Sequence, residues 1–221
     1  MTGRGLLMKD YLSAGTSVAQ ERVINRSRFI GSTYLISSEE EIPLSLEDSR
    51  KRYPGATHYC YGAVLGADGL IRRFSDDGEP GGTAGMPILQ VLLQNELKNT
   101  LVVVVRYFGG IKLGAGGLIR AYSGTASDTI RKAGVVKMTY SSRGTLTIDY
   151  SLLGSVEYFL RREGISIQEV QYGEKVQMQI LTRRDWDVLV SRLTDLCSGN
   201  LRIRRQDGIY VSWDHNHSME K

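Results

Sequence analysis

Two stretches of this 221-residue chain hold residue types that could do chemistry. The first, Asp76-Asp77-Gly78-Glu79, sets three carboxylates within four positions, just ahead of Pro80 and Thr83. Carboxylate oxygens are what hard cations such as calcium and magnesium bind. The spacing departs from the D-x-[DN]-x-[DN]-G calcium loop, and no H-E-x-x-H zinc motif lies nearby. Aspartate and glycine before proline also make ordinary turns, so a structural loop stands beside the ion site as a reading. His58 could join this acidic set as a base or ligand, or serve as a hydrogen-bonded structural residue. His58, Asp76, Asp77, Glu79 and Thr83 are thus the candidates here. No complete metal set is spelled out and no cofactor is expected.

The second stretch runs from Leu101 to Ala121, LVVVVRYFGGIKLGAGGLIRA. Val102 to Val105 read as a fully buried central strand. Gly109, Gly110, Gly114, Gly116 and Gly117 then crowd together, and from Leu118 apolar residues recur at intervals of four, as on a helix. The first N–H groups of a helix lack intrahelical partners and carry the positive end of its dipole, so this arrangement favours an anion. Arg106, Lys112 and Arg120 stand around the turn, and Tyr107 or Phe108 could stack on a base. Two sharper motifs fail. The dinucleotide fingerprint G-x-G-x-x-G would start at Gly114 but has Ile119 in its third glycine position, and the phosphate-binding loop G-x-x-x-x-G-K-[ST] has no match. A purely architectural role for the glycines stands as the alternative.

The elements that must position these residues follow from periodicity. Two early strands turn near Asn25 to Ser27. Ser38, followed by Glu39, Glu40 and Glu41, predicts an N-cap and a helix running towards Tyr53, ended by Pro54-Gly55. Thr57 to Leu65 and Leu70 to Phe74 form a hairpin turned at Asp68-Gly69. A buried helix is expected over Pro87 to Leu97, then the central strand and a long helix to Gly134. The polar run Lys137 to Arg143 reads as a connection between domains. Beyond it a strand, a helix over Leu152 to Glu163, a hairpin turned at Gly173-Glu174, a helix over Arg184 to Cys197 and a last strand give the order βαββαβ. That is the ferredoxin-like split βαβ sandwich. The predicted class is α+β: residues 1–137 form an α/β domain with a mixed sheet, and residues 138–221 a ferredoxin-like domain with a short polar tail holding His215 and His217. Residues 1–7 carry no pattern.

The first 137 residues hold 17 Lys and Arg against 13 Asp and Glu, the remainder 11 of each, so the formal charge of +4 belongs to the first domain. Such a balance permits contact with nucleic acid without demanding it. Arg202, Arg204 and Arg205 cluster near the last strand, where a solvated face is the ordinary reading. Cys60 and Cys197 make no metal-ligand spacing and are expected as reduced thiols. No apolar stretch is long enough to span a bilayer and no signal peptide opens the chain, so a soluble, cytoplasmic protein is expected.

Arg106-Tyr107-Phe108-Gly109-Gly110 with Leu113-Gly114 and Gly116-Gly117-Leu118 resembles the hallmark of the YigZ/IMPACT family. So does Asp76 to Pro87, DDGEPGGTAGMP. The resemblance covers about residues 10 to 212. It implies a first domain similar to domain IV of elongation factor G and to a domain of a small-subunit ribosomal protein, and a second similar to domain V of that factor. Both comparisons are fold-level analogies that point to structured RNA or the ribosome. Eukaryotic relatives act in translational control by binding the activator of a starvation-sensing kinase. They lack the second domain, so that partner is not carried over.

The expected function is that of a non-enzymatic, RNA- or ribosome-associated protein linked to translation or its regulation, with a further protein partner of the translation apparatus possible. Phosphate would be met by Arg106, Tyr107, Gly109, Gly110, Lys112, Gly114, Gly116, Gly117 and Arg120. The alternative is a small-molecule or metal-dependent hydrolase, or an anion-binding regulator, built on the acidic loop. Against it stands the lack of a recognisable nucleophile–base pair.

Overall fold

The computed structural model describes residues 9–213; residues 1–7 and the tail with His215 and His217 lie outside them. The chain divides into two compact units, Lys9–Met138 and, of the described residues, 139–213.

In the first unit β1 (Tyr11–Ala14) precedes a hairpin of β2 (Ala19–Ile24) and β3 (Ser27–Leu35). Asn25 and Arg26 both take positive φ at the connection, the conformation of a two-residue hairpin turn. Helix α1 (Glu41–Arg52) leads to a second hairpin, β4 (His58–Leu65) and β5 (Ile71–Ser75). Helix α2 (Gly85–Gln94), strand β6 (Thr100–Tyr107) and helix α3 (Gly114–Ala133) follow. The sheet order is β2-β3-β6-β4-β5. Every ladder in it is antiparallel, which corrects the expected mixed sheet.

The reason is legible in β6. An unbroken apolar strand needs cover on both faces, and helices supply it whatever the strand direction. Val102 and Val104 pack with Phe29, Cys60, Val64 and residues of α2 and α3. Leu101, Val103 and Val105 pack with Ile30, Ala63, Leu65 and Ile42 of α1. Each fully buried valine contributes about 1.5–3 kcal/mol, which fixes β6 as the centre of the unit.

Three boundaries differ from expectation. Ser38 provides no side-chain cap; instead the Glu41 carboxylate reaches back to the Ser37 and Ser38 N–H groups at 2.9 and 3.1 Å. Helix α2 stops at Gln94 because Glu96 turns to positive φ and the Leu97 N–H returns to the Leu92 carbonyl. The polar run Lys137 to Arg143, within which the chain passes from one unit to the other, is strand: it belongs to β7 (Val135–Ile148), whose first residues pair with β1.

In the second unit the remainder of β7 is followed by a short 3₁₀ turn, α4 (Leu153–Arg162), β8 (Ser166–Tyr172), β9 (Val176–Thr182), α5 (Trp186–Leu196) and β10 (Leu201–Ser212). Strand β9 lies between β7 and β8, antiparallel to both, and β10 pairs with β7. One core joins Leu146, Met178 and Ile180 of the strands to Val156, Leu160, Trp186 and Leu193 of the helices. Asp185 caps α5 by accepting the Asp187 and Val188 N–H groups, both at 3.0 Å.

Candidate functional site

Strand register assembles the site. Arg106 near the end of β6 faces Phe29 on one neighbouring strand and His58 on the other. The alternation of β6 sends Arg106 to the same side as Val102 and Val104, beneath α2 and α3. There its Nη1 donates to Glu79 Oε1 at 2.6 Å, and the two side chains are 6% and 3% exposed. Nη2 lies 3.4 Å from Ser27 Oγ, and the guanidinium sits over the rings of Phe29 and Phe108.

Glu79 Oε1 also accepts the Tyr122 hydroxyl from α3 at 2.7 Å. Cys60 Sγ lies 3.5 Å from that hydroxyl and 3.0 Å from the Asp76 carbonyl oxygen, to which it donates. Burial pushes the Cys60 thiol up to about 12, so it stays protonated at neutral pH and is no nucleophile. Burial likewise raises Tyr122, with the charge and hydrogen bonds of Cys60 and Glu79 acting in the same direction. His58 Nδ1 lies 2.7 Å from the Asp77 carbonyl oxygen; a carbonyl only accepts, so Nδ1 carries the proton. In the neutral ring Nε2 therefore holds the lone pair, 3.9 Å from Glu79 Oε1.

The acidic loop is occupied by the protein itself. Asp76 accepts three N–H groups, those of Ala84 and Gly85 through Oδ1 and that of Gly82 through Oδ2, and so anchors the start of α2. Partial burial raises its carboxyl, but the bonds from Gly82, Gly85 and Ala84 outweigh this and hold it below the usual range. Asp77 Oδ2 accepts the Tyr59 N–H at 2.6 Å, and Thr83 Oγ1 donates to the Pro80 carbonyl at 2.6 Å. Among the described residues no group of three or more His, Cys, Asp or Glu could hold a metal ion.

The glycine-rich segment separates into two parts. Gly109 packs against the chain at Arg26 and Ser27, where a Cβ would come within 2.1 Å of the Arg26 carbonyl carbon, and its N–H donates to Ser27 Oγ. Gly110 and Gly114 take positive φ, whereas Gly116 and Gly117 lie in the first turn of α3 with ordinary backbone angles. Tyr107 donates to the Pro54 carbonyl oxygen and carries the Arg28 guanidinium over its ring. Lys112 and Arg120 are exposed, and neither has an ion-pair partner among the described residues. Phe108, Ile111 and Ile119 are exposed beside them in sequence, at 48%, 40% and 42%.

The structure thus joins His58 and Glu79 of the acidic stretch to Arg106 of the glycine-rich one. It does not bring Arg106 to the surface with Lys112 and Arg120. Phe29, Cys60, Tyr122 and Ser27 were missed by sequence reasoning. Only the period-two row Val102, Val104, Arg106 carried a signal that this arginine faces the core. Arg26, exposed and next to Gly109 through its backbone, was missed as a cation.

Residues 25–130 match the Impact N-terminal domain, and residues 146–200 match a domain of unknown function, DUF1949. The chain is 36% identical over 215 residues to the IMPACT family member YvyE of Bacillus subtilis, covering 97% of this chain and 99% of that one. It is 33% identical over 199 residues to the IMPACT family member YigZ of Escherichia coli, covering 89% and 98%. A crystal structure described as that of a hypothetical protein superimposes with a TM-score of 0.62 at 32% identity, covering 91% of this chain and 99% of that one.

Proposed function

Because the chain belongs to the IMPACT family, we propose that it is a non-enzymatic, cytoplasmic protein that meets structured RNA or the ribosome in translation or its regulation. The observation that carries this reading is the surface at the start of α3. Lys112, Arg120 and the neighbouring Arg26 are exposed and lack ion-pair partners among the described residues, with Phe108 exposed between them in sequence. Unpaired cations meet phosphates, and an exposed aromatic ring offers a stacking face for an unpaired base. Arg106 has a different part: its charge is matched by Glu79, and it braces the glycine-rich segment from below.

We read the first unit as akin to domain IV of elongation factor G. The order βαββαβ, with β9 between β7 and β8 and β10 beside β7, supports a ferredoxin-like reading of the second. A hydrolase built on the acidic loop is not favoured. Each of its carboxylates already accepts hydrogen bonds from the protein, and the adjacent thiol is held protonated. No helix of the described residues is long and apolar enough to cross a membrane.

Co-sedimentation with ribosomes and anisotropy with a labelled oligoribonucleotide test the reading between 50 and 200 mM salt. If three phosphates are neutralised, affinity falls roughly 20- to 40-fold across that range. Lys112→Ala with Arg120→Ala should reduce the salt slope by between about one and two units while leaving stability within about 0.5–1 kcal/mol. Binding that ignores salt, or is absent at 50 mM, overturns it.

A further inference from the structure

Residues 138–221 carry 11 Lys and Arg against 11 Asp and Glu, yet the cations of the second unit are not evenly matched. Arg162, Arg184 and Arg192 all converge on Glu163, and Lys175 meets Asp149. Arg143 of β7 and Arg204 and Arg205 of β10 have no acidic partner among the described residues. These three arginines line one shallow concavity of about 680 Å³, together with Tyr140, Asp207 and Gly208. Among the described residues Asp207 is the sole acid on its wall.

Arg143 adds a second observation. Its Nε–H is removed from solvent and has no hydrogen-bond partner among the described residues. A desolvated guanidinium N–H left unmatched costs free energy, and such groups are rare unless something outside the chain completes them. Arg205 is held in place by its stacking over the Trp186 ring, 5.8 Å from its centroid, and by a long contact to Ser142 Oγ. Arg204 and Arg205 are themselves exposed. An oxyanion suits the set: the exposed Arg204 and Arg205 offer it forked N–H donors, and a shift of the Arg143 side chain lets it accept from the Nε–H as well. A wide, open concavity suits an anion that continues beyond it, as a phosphodiester strand does, rather than an enclosed small molecule.

We propose that Arg143, Arg204 and Arg205 form a phosphate-binding surface of the second unit, engaged by the sugar–phosphate backbone of an RNA strand. The choice of RNA rests on the functional reading above; the oxyanion chemistry does not.

The full chain carrying Arg204→Gln and Arg205→Gln is compared with the parent and with the Lys112→Ala, Arg120→Ala variant. Labelled oligoribonucleotide binding is measured from 50 to 200 mM salt, and the Arg143 Nε–Hε resonance, identified by its loss in Arg143→Lys, is followed during titration. The inference expects roughly tenfold weaker binding by the glutamine variant at 100 mM salt, a salt slope lower by about 1.4 for two lost single-strand phosphate contacts, and movement of the Arg143 resonance. Unchanged affinity, an unchanged slope and a still resonance overturn it, while loss of binding in the Lys112, Arg120 variant alone would leave the functional reading standing. Should the parent not bind RNA at 50 mM salt, that reading falls, and inorganic pyrophosphate decides the site. Movement of the Arg143 resonance by pyrophosphate then supports an oxyanion site for free phosphates, and its absence overturns the inference altogether.

Discussion

Arg106 Nη1 meets Glu79 Oε1 at 2.6 Å, a bond between residues 27 apart in sequence, with both side chains almost wholly out of water. It joins the two stretches that looked capable of chemistry into one piece of architecture. A buried pair of this kind adds little net stability while intact, but breaking it from one side strands a charge.

Glu79→Gln keeps the volume and removes the charge, leaving Arg106 uncompensated beneath α3. The expected loss is about 3–5 kcal/mol in urea denaturation. The pair with Arg106→Met should lose less than the sum of the single changes, because the two residues share one interaction. Additive losses would show that Glu79 acts through Tyr122 instead.

Asp76→Asn retains one acceptor and turns an N–H donor towards the Gly82 N–H. Losing this cap should cost about 1–2 kcal/mol at pH 7. The folded-state carboxyl lies below its ordinary value, so its contribution is complete above the unfolded pKa of about 3.9 and is lost as pH falls through the folded value. The difference between parent and variant should therefore shrink on acidification below about pH 4. A difference that stays constant from pH 7 to pH 3 would show that the charge is not what matters.

Gly109→Ala and Gly116→Ala should diverge. A Cβ at Gly109 would stand 2.1 Å from backbone at Arg26, so the hairpin must shift and thermal unfolding should occur well below that of the parent. At Gly116 the nearest heavy atom is Arg120 Nη1 at 3.5 Å and the backbone is helical, so alanine should stabilise by about 0.5–1 kcal/mol. Equal melting points for the two variants would refute the assignment of close approach to Gly109.

Both cysteines should resist alkylation in the native protein. Burial raises each thiol, Cys60 to about 12, and each is at most 1% exposed. Mass spectrometry after iodoacetamide at pH 8 should find no adduct until denaturant is added. Rapid native labelling of Cys60 would mean that the face under α2 and α3 opens readily.

The contrast between Val102–Val105 and Lys137–Arg143 explains what the sequence could and could not disclose. Four consecutive β-branched apolar residues announce a covered strand whatever its neighbours. The run KMTYSSR lacks apolar alternation, and its strand character comes from remote partners: Lys137 and Met138 pair with β1, Ser142 and Arg143 with β9. No local pattern encodes such pairing. Arg106 shows the same limit in the site. As a residue type beside glycines it reads as a solvent-facing cation, and only its row with Val102 and Val104 hints otherwise. That Glu79 would be its counter-charge depends on β6 lying between β3 and β4.

That placement also dictates an order of events on the ribosome that makes this chain. The β2–β3 and β4–β5 hairpins are complete by Ser75, yet no ladder joins them directly, because β6, which ends at Tyr107, lies between them. At synthesis rates of about 5–20 residues per second the two hairpins wait for seconds, each with an open inner edge and with Phe29, Ile30 and Val64 uncovered. Isolated hairpins are marginal in water, so nothing local holds them during that interval. Insertion of β6 seals both edges in one step and closes loops of different lengths together. A nascent chain arrested before Thr100 would therefore remain protease-sensitive, whereas one extended past Ala133, with α3 emerged, would become resistant all at once.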